Sequence, residues 1–525
     1  MNNRKRNIRI GIGIIAAYAA VIVLLLEAES RAEGSSIHSI GDAIWYSIIT
    51  LTTVGYGDIS PVSPAGRVLG VILALCSLGL ITALLGILLS VISNQTIPRM
   101  KLKHSRKFRW FVFNEYNEQS AALVSSIKSE EPDARIIFCD SDAKRKYDKG
   151  VIYLDCSPEE LIDLKGSSER ILYFCIGDDS WDNFGKAKEA AGLGIETYCL
   201  SDYGLKEIMG NLHIYSRKVI ISRCYWKDYP VARNEKTIVL IGSGDIAAEL
   251  LGRGLLTNVF EAGRYISYHV FGDSSYFRNA HPEIIKALCG GNPENDSLFL
   301  HEECWQHHAG IIRSADRIII CEDDDKSNLR IYKELIRYFP TSADVHLRLD
   351  AHAEQIACFG SIGSVFTLAS FIRDDINRLA VIHNKIYSED SETPIEWSEL
   401  SDHQKGSNIT AADHMIVKVR FILEDDSIKE LTEDNCRRAY EAFRDADAEL
   451  RDVCREMEHR RWMRFYQMFN WSYSPERDDR MRRHPLMVPY ADLSENDKEK
   501  DAYAWEMLGR VADKTAGISE EARHE

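Results

Sequence analysis

Val68 to Ile92 runs 25 residues without a charged side chain, enough to cross about 30 Å of bilayer hydrocarbon with some tilt. A second apolar run, Ile10 to Leu26, is broken only by small residues and Tyr18, and Arg4, Lys5, Arg6 and Arg9 precede it. Two such runs close together predict a pair of membrane-spanning helices. A cleavable signal peptide fits less well, because the first run is long for an apolar signal core and no A-x-A site leads into a soluble domain. Basic residues flank the outer ends, with Arg99, Lys101, Lys103, Arg106 and Lys107 following the second run, while Glu27, Glu29, Glu33 and Asp42 lie in the connecting loop. That asymmetry predicts a multi-pass protein of the cell (inner) membrane with both termini cytoplasmic.

Gly41 to Asp58, between the runs, is too short and too punctuated for another crossing. It reads as a re-entrant element, with Ala43 to Thr50 as a short helix whose C-terminal dipole would face a cation on an axis. In Thr53-Val54-Gly55-Tyr56-Gly57 the alternate glycines let successive carbonyls face one side. This stretch resembles the selectivity filter of potassium channels, and residues 8–98 resemble the pore of a two-transmembrane potassium channel. The resemblance implies K+ as the permeant ion, a Thr53 hydroxyl at the innermost ion site, and a homotetramer, since one chain supplies one filter strand. No helix with Arg at every third position precedes the pore, so no built-in voltage sensor is expected. Gly79 and Gly86 have two readings, as gating hinges of the inner helix or as small residues for close helix packing. Ser77 stands where many relatives place a glycine.

The chain has 525 residues, room for roughly three to four folded units. From Lys107 onward, β-branched and aromatic runs alternate with amphipathic helical patterns, which predicts an α/β parallel sheet. Two blocks echo each other: Arg170-Ile171-Leu172-Tyr173-Phe174-Cys175 followed by Asp178, Asp179 and Asn183, and Arg317-Ile318-Ile319-Ile320-Cys321 followed by Asp323, Asp324, Asp325 and Asn328. In the second block the strand Thr237–Ile241 enters Gly242-Ser243-Gly244-Asp245-Ile246-Ala247 and then an amphipathic helix, Ala248 to Leu256. This is the pattern of a dinucleotide-binding turn, with Asp273, after the next strand (Ile266 to Phe271), placed to meet an adenosine ribose. A Rossmann turn without a ligand is the other reading. The first block has Asn114-Glu115-Tyr116-Asn117-Glu118 at the equivalent place, with no glycine and a carboxylate where phosphate would sit, so nucleotide binding is not expected there. Asp140 is expected on solvent or a subunit contact.

Two such blocks after a two-span pore resemble the RCK domains that regulate potassium conductance in prokaryotic ligand-gated channels. That resemblance covers residues 107 to about 385. It implies a ring of eight such domains per tetramer that pulls on the inner helices through the Asn94–Lys107 linker, with an NAD- or ADP-type nucleotide, and in some members Ca2+, as gating ligand. Carboxylates that could serve a hard cation are Asp140 with Asp142, Asp178 with Asp179 and Asp182, and Glu322 through Asp325; the alternative is solvated strand ends. His301, Cys304 and His308 would share a face if helical and could bind zinc.

Residues 384 onward are charged and rich in Trp and Tyr, with a helical run over Asp434 to Met468. Glu458-His459-Arg460-Arg461-Trp462, Asn470-Trp471-Ser472-Tyr473, His484-Pro485-Leu486-Met487-Val488-Pro489-Tyr490, Leu493-Ser494 and Lys498 with Asp501 resemble the RyR domain named after ryanodine receptors. Asn470 replaces that family's usual glycine. Arg477, Arg480, Arg482 and Arg483 could meet phosphate or form a solvated basic face.

The fold class expected is therefore an α-helical two-transmembrane pore (1–98), two Rossmann-like α/β RCK domains (107–235 and 236–383) and a mainly helical RyR-like domain (384–517). With 80 Asp+Glu against 64 Lys+Arg, a net charge of −16 argues against nucleic acid as partner. Twelve Cys with no C-x-x-C pair read as reduced thiols. The chain is expected to conduct rather than catalyse. The rival readings are a nucleotide-sensing scaffold with a silent pore and a membrane-anchored NAD-dependent oxidoreductase; the second lacks a catalytic lobe with a placed His, Lys or Tyr.

Overall fold

The computed structural model describes residues 17–140, 150–203, 210–290, 292–353, 356–391 and 393–521. The chain divides into two units, residues 1–106 with the short stretch Tyr153–Asp155, and the remainder from Lys107.

In the first unit, residues 17–29 are helical, followed by helices Ile40–Leu51 and Pro64–Val91. The first part of the expected first span, Ile10 to Ala16, lies outside the described residues. The helix expected at Ala43 starts at Ile40, because Ser39 and Asp42 form a capping box that satisfies first-turn N–H groups. Helix Pro64–Val91 opens on Ser63, whose hydroxyl accepts from Gly66 N, with Pro at its first position. Glu29 stands behind this cap, accepting from Val62 N (3.0 Å), Ser63 N (2.9 Å) and Ser63 Oγ (2.7 Å). It is fully buried, so it ties the end of the 17–29 helix to the start of the long one. Leu25, Ile37, Ala43 and Leu73 form the core between these helices. On helix Pro64–Val91, Val68, Val71, Leu75 and Leu89 are each at least 60% exposed. Counted over the described residues, no helix is long and apolar enough to cross a membrane. Neither Gly79 nor Gly86 interrupts helix Pro64–Val91; the backbone leaves α geometry at a π turn, Ile92–Thr96, before helix Ile97–His104.

From Trp110 onward the chain forms two six-stranded sheets of one topology. Strands β1 (Trp110–Phe113), β2 (Arg135–Phe138), β3 (Val151–Tyr153), β4 (Ile171–Cys175), β5 (Glu196–Leu200) and β6 (Leu212–Tyr215) lie in the order β3-β2-β1-β4-β5-β6. Strands β7 (Thr237–Ile241), β8 (Ser267–Phe271), β9 (Ser297–His301), β10 (Arg317–Ile320), β11 (Asp344–Arg348) and β12 (Ala357–Phe359) repeat it as β12-β11-β10-β7-β8-β9. Both are the doubly wound order, in which the first and fourth strands of a block adjoin and the connections diverge to either side. Every residue of β1, β4 and β10 is buried, as expected of parallel strands covered on both faces.

The internal repeat acquires a physical meaning here. Asn183 accepts from Gly177 N (2.7 Å) and donates to Gly177 O (2.8 Å) and Leu200 O (2.9 Å). Asn328 accepts from Glu322 N (2.7 Å) and donates to Glu322 O (3.0 Å) and Arg348 O (2.9 Å). In each block one buried amide ties the end of the fourth strand to the end of the fifth.

The C-terminal region is helical: Asp375–Glu389, Asp402–Ile422, Glu433–Asp445, Ala448–Met468 and Glu495–Glu521. The run expected over Asp434 to Met468 is two helices, because Asp447 stops the first and caps the second, accepting from Leu450 N at 2.8 Å. Helix Ala448–Met468 is fastened to the second block: Arg464 pairs with Asp296 (3.0 Å), and Arg460 donates to Phe260 O (2.8 Å).

Candidate functional site

The candidate site is the crevice outside the carboxyl ends of β7, β8, β9 and β10. Helix Asp245–Thr257 begins three residues earlier than the sequence pattern suggested, directly after Gly244, which caps it without a side chain to fill the first-turn N–H groups. Gly244 has φ +93°, and a Cβ there would run into the Asp323 carboxylate. A Cβ on Gly242 would overlap the Cys321 carbonyl. The two glycines are thus required by the chain's own packing before any ligand is considered.

Around the turn, Ser243 N donates to Glu322 Oε2 at 3.0 Å, and Lys218 Nζ pairs with Asp245 Oδ2 at 3.1 Å. Burial, and then the nearby Asp245 carboxylate, push the Asp323 carboxyl above its ordinary range. Two carboxylates from the end of β10 therefore confront the turn, a feature separated from it by about eighty residues in the sequence. A cleft of about 830 Å³ opens beside them, lined by Asp273, Glu322, His301, Arg278 and Arg330, and a smaller cavity of about 110 Å³ lies against Gly242, Gly244, Asp245 and Asp273. Asp273 is exposed, accepting from Ser275 N at 2.9 Å. Ile246 follows Asp245 in the first helical turn.

The first block, whose turn Asn114–Glu118 has no glycine, closes the corresponding place. Asn117 makes a capping box with Ser120 for helix Glu118–Glu130, and the Glu115 carboxylate lies against Gly177, so that a Cβ there would stand 2.6 Å from Glu115 Oε2. Burial, then Asp178, push the Glu115 carboxyl up. Asp140 accepts from Tyr116 N at 3.3 Å.

In the first unit the filter-like stretch follows helix Ile40–Leu51 at once. Thr53 (φ +59°), Gly55 (φ +58°) and Gly57 (φ +76°) are left-handed at alternate positions, the alternation that turns successive carbonyls to one side. A Cβ on Gly55 or Gly57 would meet nothing within 4 Å, so backbone angle rather than space favours glycine there. Trp45 Nε1 donates to Asp58 Oδ2 at 3.1 Å and the Trp45 ring stacks on Tyr56 at 6.3 Å, fastening the stretch to the short helix. Val54 and Tyr56 are exposed in the single chain.

The metal expectations fare differently. Asp142 lies outside the described residues. Asp179 caps helix Ser180–Gly192, accepting from Trp181 N and Asp182 N; Asp182 pairs with Lys186 at 2.6 Å; Asp324 caps the helix after β10. Among the described residues no three His, Cys, Asp or Glu converge as metal ligands. The zinc expectation is corrected: His301 ends β9, Cys304 precedes a 3-10 turn, Trp305–His308, and the assumed shared helical face does not form. His301 Nε2 instead meets His269 Nδ1 of β8 at 3.0 Å.

In the RyR-like region Glu458 is buried between Lys418 (2.8 Å) and Arg461 (2.6 Å). Burial opposes its ionisation, but Arg461 and Lys418 outweigh it and hold the carboxyl well below its usual range. His459 Nε2 meets Val488 O at 2.8 Å and Nδ1 faces Asp501 at 3.4 Å, a packed position. Of the four arginines, Arg477 pairs with Asp479 (2.7 Å) and Arg482 donates to Phe469 O (2.7 Å); Arg480 and Arg483 are exposed.

Residues 10–94 match the ion channel family model, and residues 443–510 match the RyR domain model. A voltage-gated potassium channel of Aeropyrum pernix is 39% identical over 69 residues, 13% of this chain and 23% of that one. The calcium-gated potassium channel TvoK of Thermoplasma volcanium is 30% identical over 138 residues, 26% of this chain and 38% of that one. The chain thus spans less than two fifths of the length of these curated relatives. The solved structure of GsuK bound to ADP covers 80% of this chain and 99% of its own length at 12% identity and a TM-score of 0.31; a score that low carries no argument here.

Proposed function

We propose that this chain, whose residues 10–94 belong to the ion channel family and whose residues 443–510 form a RyR domain, is a potassium-selective channel gated by a nucleotide. The observation that carries the reading is the Thr53–Gly57 stretch, left-handed at alternate residues and set directly after a short helix between two apolar segments. Four copies would bring four such stretches around one axis, with K+ as the passing ion and Thr53, Val54, Gly55, Tyr56 and Gly57 as its lining. The outward apolar residues of helix Pro64–Val91 suit lipid and neighbouring copies. In this reading residues 1–98 are the pore, held in the cell membrane with both termini cytoplasmic, 107–235 and 236–383 the two RCK-type blocks, and 384–517 the RyR-like region.

The ligand proposed for the second block is an NAD- or ADP-type nucleotide at Gly242, Ser243, Gly244, Asp245, Ile246 and Asp273. The chemistry of the crevice fits it in parts: carboxylates of Asp273 and Glu322 suit ribose hydroxyls, Arg278 and Arg330 suit phosphate, and the helix N-terminus favours negative charge. The Asp323 carboxylate, which faces Gly244, opposes a phosphate there. Binding shifts the pore only as far as the ligand favours the open form, with Gly79 or Gly86 as the proposed bending points. Calcium is assigned no site, and the chain is read as conducting without chemistry.

The test is potassium flux from liposomes holding the full-length protein, titrated with NAD, NADH, ADP and calcium. The reading expects a nucleotide to change the flux and Asp273→Ala to weaken that response without altering selectivity. Selective flux indifferent to every nucleotide would keep the channel and reject this gating site.

A further inference from the structure

A cavity of about 610 Å³ lies among the C-terminal helices, apart from the Gly242 crevice. Helix Asp375–Glu389 supplies Tyr387, helix Ala448–Met468 supplies Arg461, Trp462 and Tyr466, and helix Glu495–Glu521 supplies Lys500 and Tyr503. The wall combines aromatic faces and cations with the carboxylates of Glu458, Asp497 and Asp501. Trp462 packs against Tyr466 at 4.3 Å between ring centres and against His484 at 5.0 Å, and Tyr387 meets Tyr503 edge-on at 5.8 Å.

Most polar groups here are already matched. Lys500 Nζ pairs with Asp497 at 2.6 Å, and His383 meets Asn408 Oδ1 at 2.7 Å. Arg461 is the exception. Its side chain is 4% exposed, its Nε and Nη2 donate to Glu458 at 3.0 and 2.6 Å, and its Nη1 is buried with no hydrogen-bond partner. Buried guanidinium donors are seldom left unmatched, because the lost hydration is returned only by an acceptor. A donor stranded in the wall of an aromatic cavity calls for an acceptor brought in from outside, and a charged one binds it best.

We propose that this cavity binds a small molecule that carries an anionic group on a flat ring, the anion meeting Arg461 and the ring lying against Trp462 and its neighbours. Carboxylate and phosphate share this chemistry. The proposal stands independently of the Gly242 crevice, and the experiment keeps the two sites apart.

The test is equilibrium dialysis of the full-length protein in detergent against AMP, a phosphate on a purine, and indole-3-acetate, a carboxylate on a flat ring. The probes are titrated on an Asp273→Ala background, which weakens the Gly242 crevice; at least one is expected to bind there, and about tenfold more weakly once Tyr387→Ala or Lys500→Ala is added. Both cavity substitutions remove exposed side chains, so the fold survives them. Arg461→Gln is expected to abolish binding; should it fail to fold, with Glu458 left to Lys418 alone, the two exposed variants decide. AMP binding alone assigns the anion as phosphate, and indole-3-acetate binding alone as carboxylate. Binding of neither probe on that background, or binding untouched by the cavity variants, overturns the proposal.

Discussion

Asn470, where the resemblance to the RyR domain implies a glycine, has a φ of +59°. Asparagine tolerates the left-handed region better than other residues with a Cβ, and its Nδ2 also donates to Ala280 O at 2.8 Å. Asn470→Gly is therefore expected to stay within about 1 kcal/mol of the wild type, and Asn470→Val to lose about 2 kcal/mol, read as thermal melting. Equal losses in both would refute the backbone argument. Asp323 gives a second prediction at this scale. Its carboxylate faces Gly244, so Asp323→Asn should tighten nucleotide binding. Because burial and Asp245 raise its pKa, protonation on acidification removes the opposing charge sooner than for an ordinary aspartate. Nucleotide binding to the wild type should accordingly strengthen as pH falls through that raised pKa, a trend absent from Asp323→Asn. Titration calorimetry across pH checks both. The glycines of the turn were legible in the sequence; Asp323 was legible only as one of a run of acids. Its approach to Gly244 depends on β10 lying beside β7, a pairing that no local pattern encodes.

At the scale of elements, the strands were the easiest to read, since fully buried parallel strands appear as continuous apolar runs. Thr237–Ile241 forms as the sequence implied. Helix starts were harder, because caps act through one or two polar side chains. The Asp447 cap divides a run that periodicity alone joins. The zinc expectation failed for a related reason: the spacing of His301, Cys304 and His308 has ligand geometry only on a helix, and the chain turns from strand to 3-10 there. The paired amides were visible as a repeat, though their task was not. Asn328→Ala would strand Glu322 N and two carbonyls, and should cost about 3 kcal/mol by denaturant unfolding; Asn183→Ala should behave alike. In the first unit, a Cβ on Gly66 would collide with the Glu29 carboxylate. Gly66→Ala is thus expected to destabilise that unit by about 1–3 kcal/mol, read as a lower melting temperature of the detergent-solubilised protein, and Glu29→Ala should relieve the clash. Glu29 had read as an ordinary loop acid; its burial follows from the return of the chain past Val62 and Ser63.

For the molecule as a whole, one block of sheet topology is used twice with different turns. The Gly242 turn leaves a crevice, whereas Glu115 and the Asn117 cap close its counterpart, so ligand response is expected from the second block and not from the first. Helix Ala448–Met468 lies against that second block through Arg460 and Arg464, with the aromatic cavity on the same helix. In the proposed reading these parts act through the first unit. The decisive measurement is current through the purified full-length protein in a planar bilayer, with potassium on one side and sodium on the other, alongside Gly55→Ala. The account predicts a current carried by potassium in clear preference to sodium, lost in Gly55→Ala because position 55 sits at φ +58°, while that variant still binds nucleotide. A wild-type protein that folds and binds nucleotide but passes no potassium, or passes both ions alike, would contradict it.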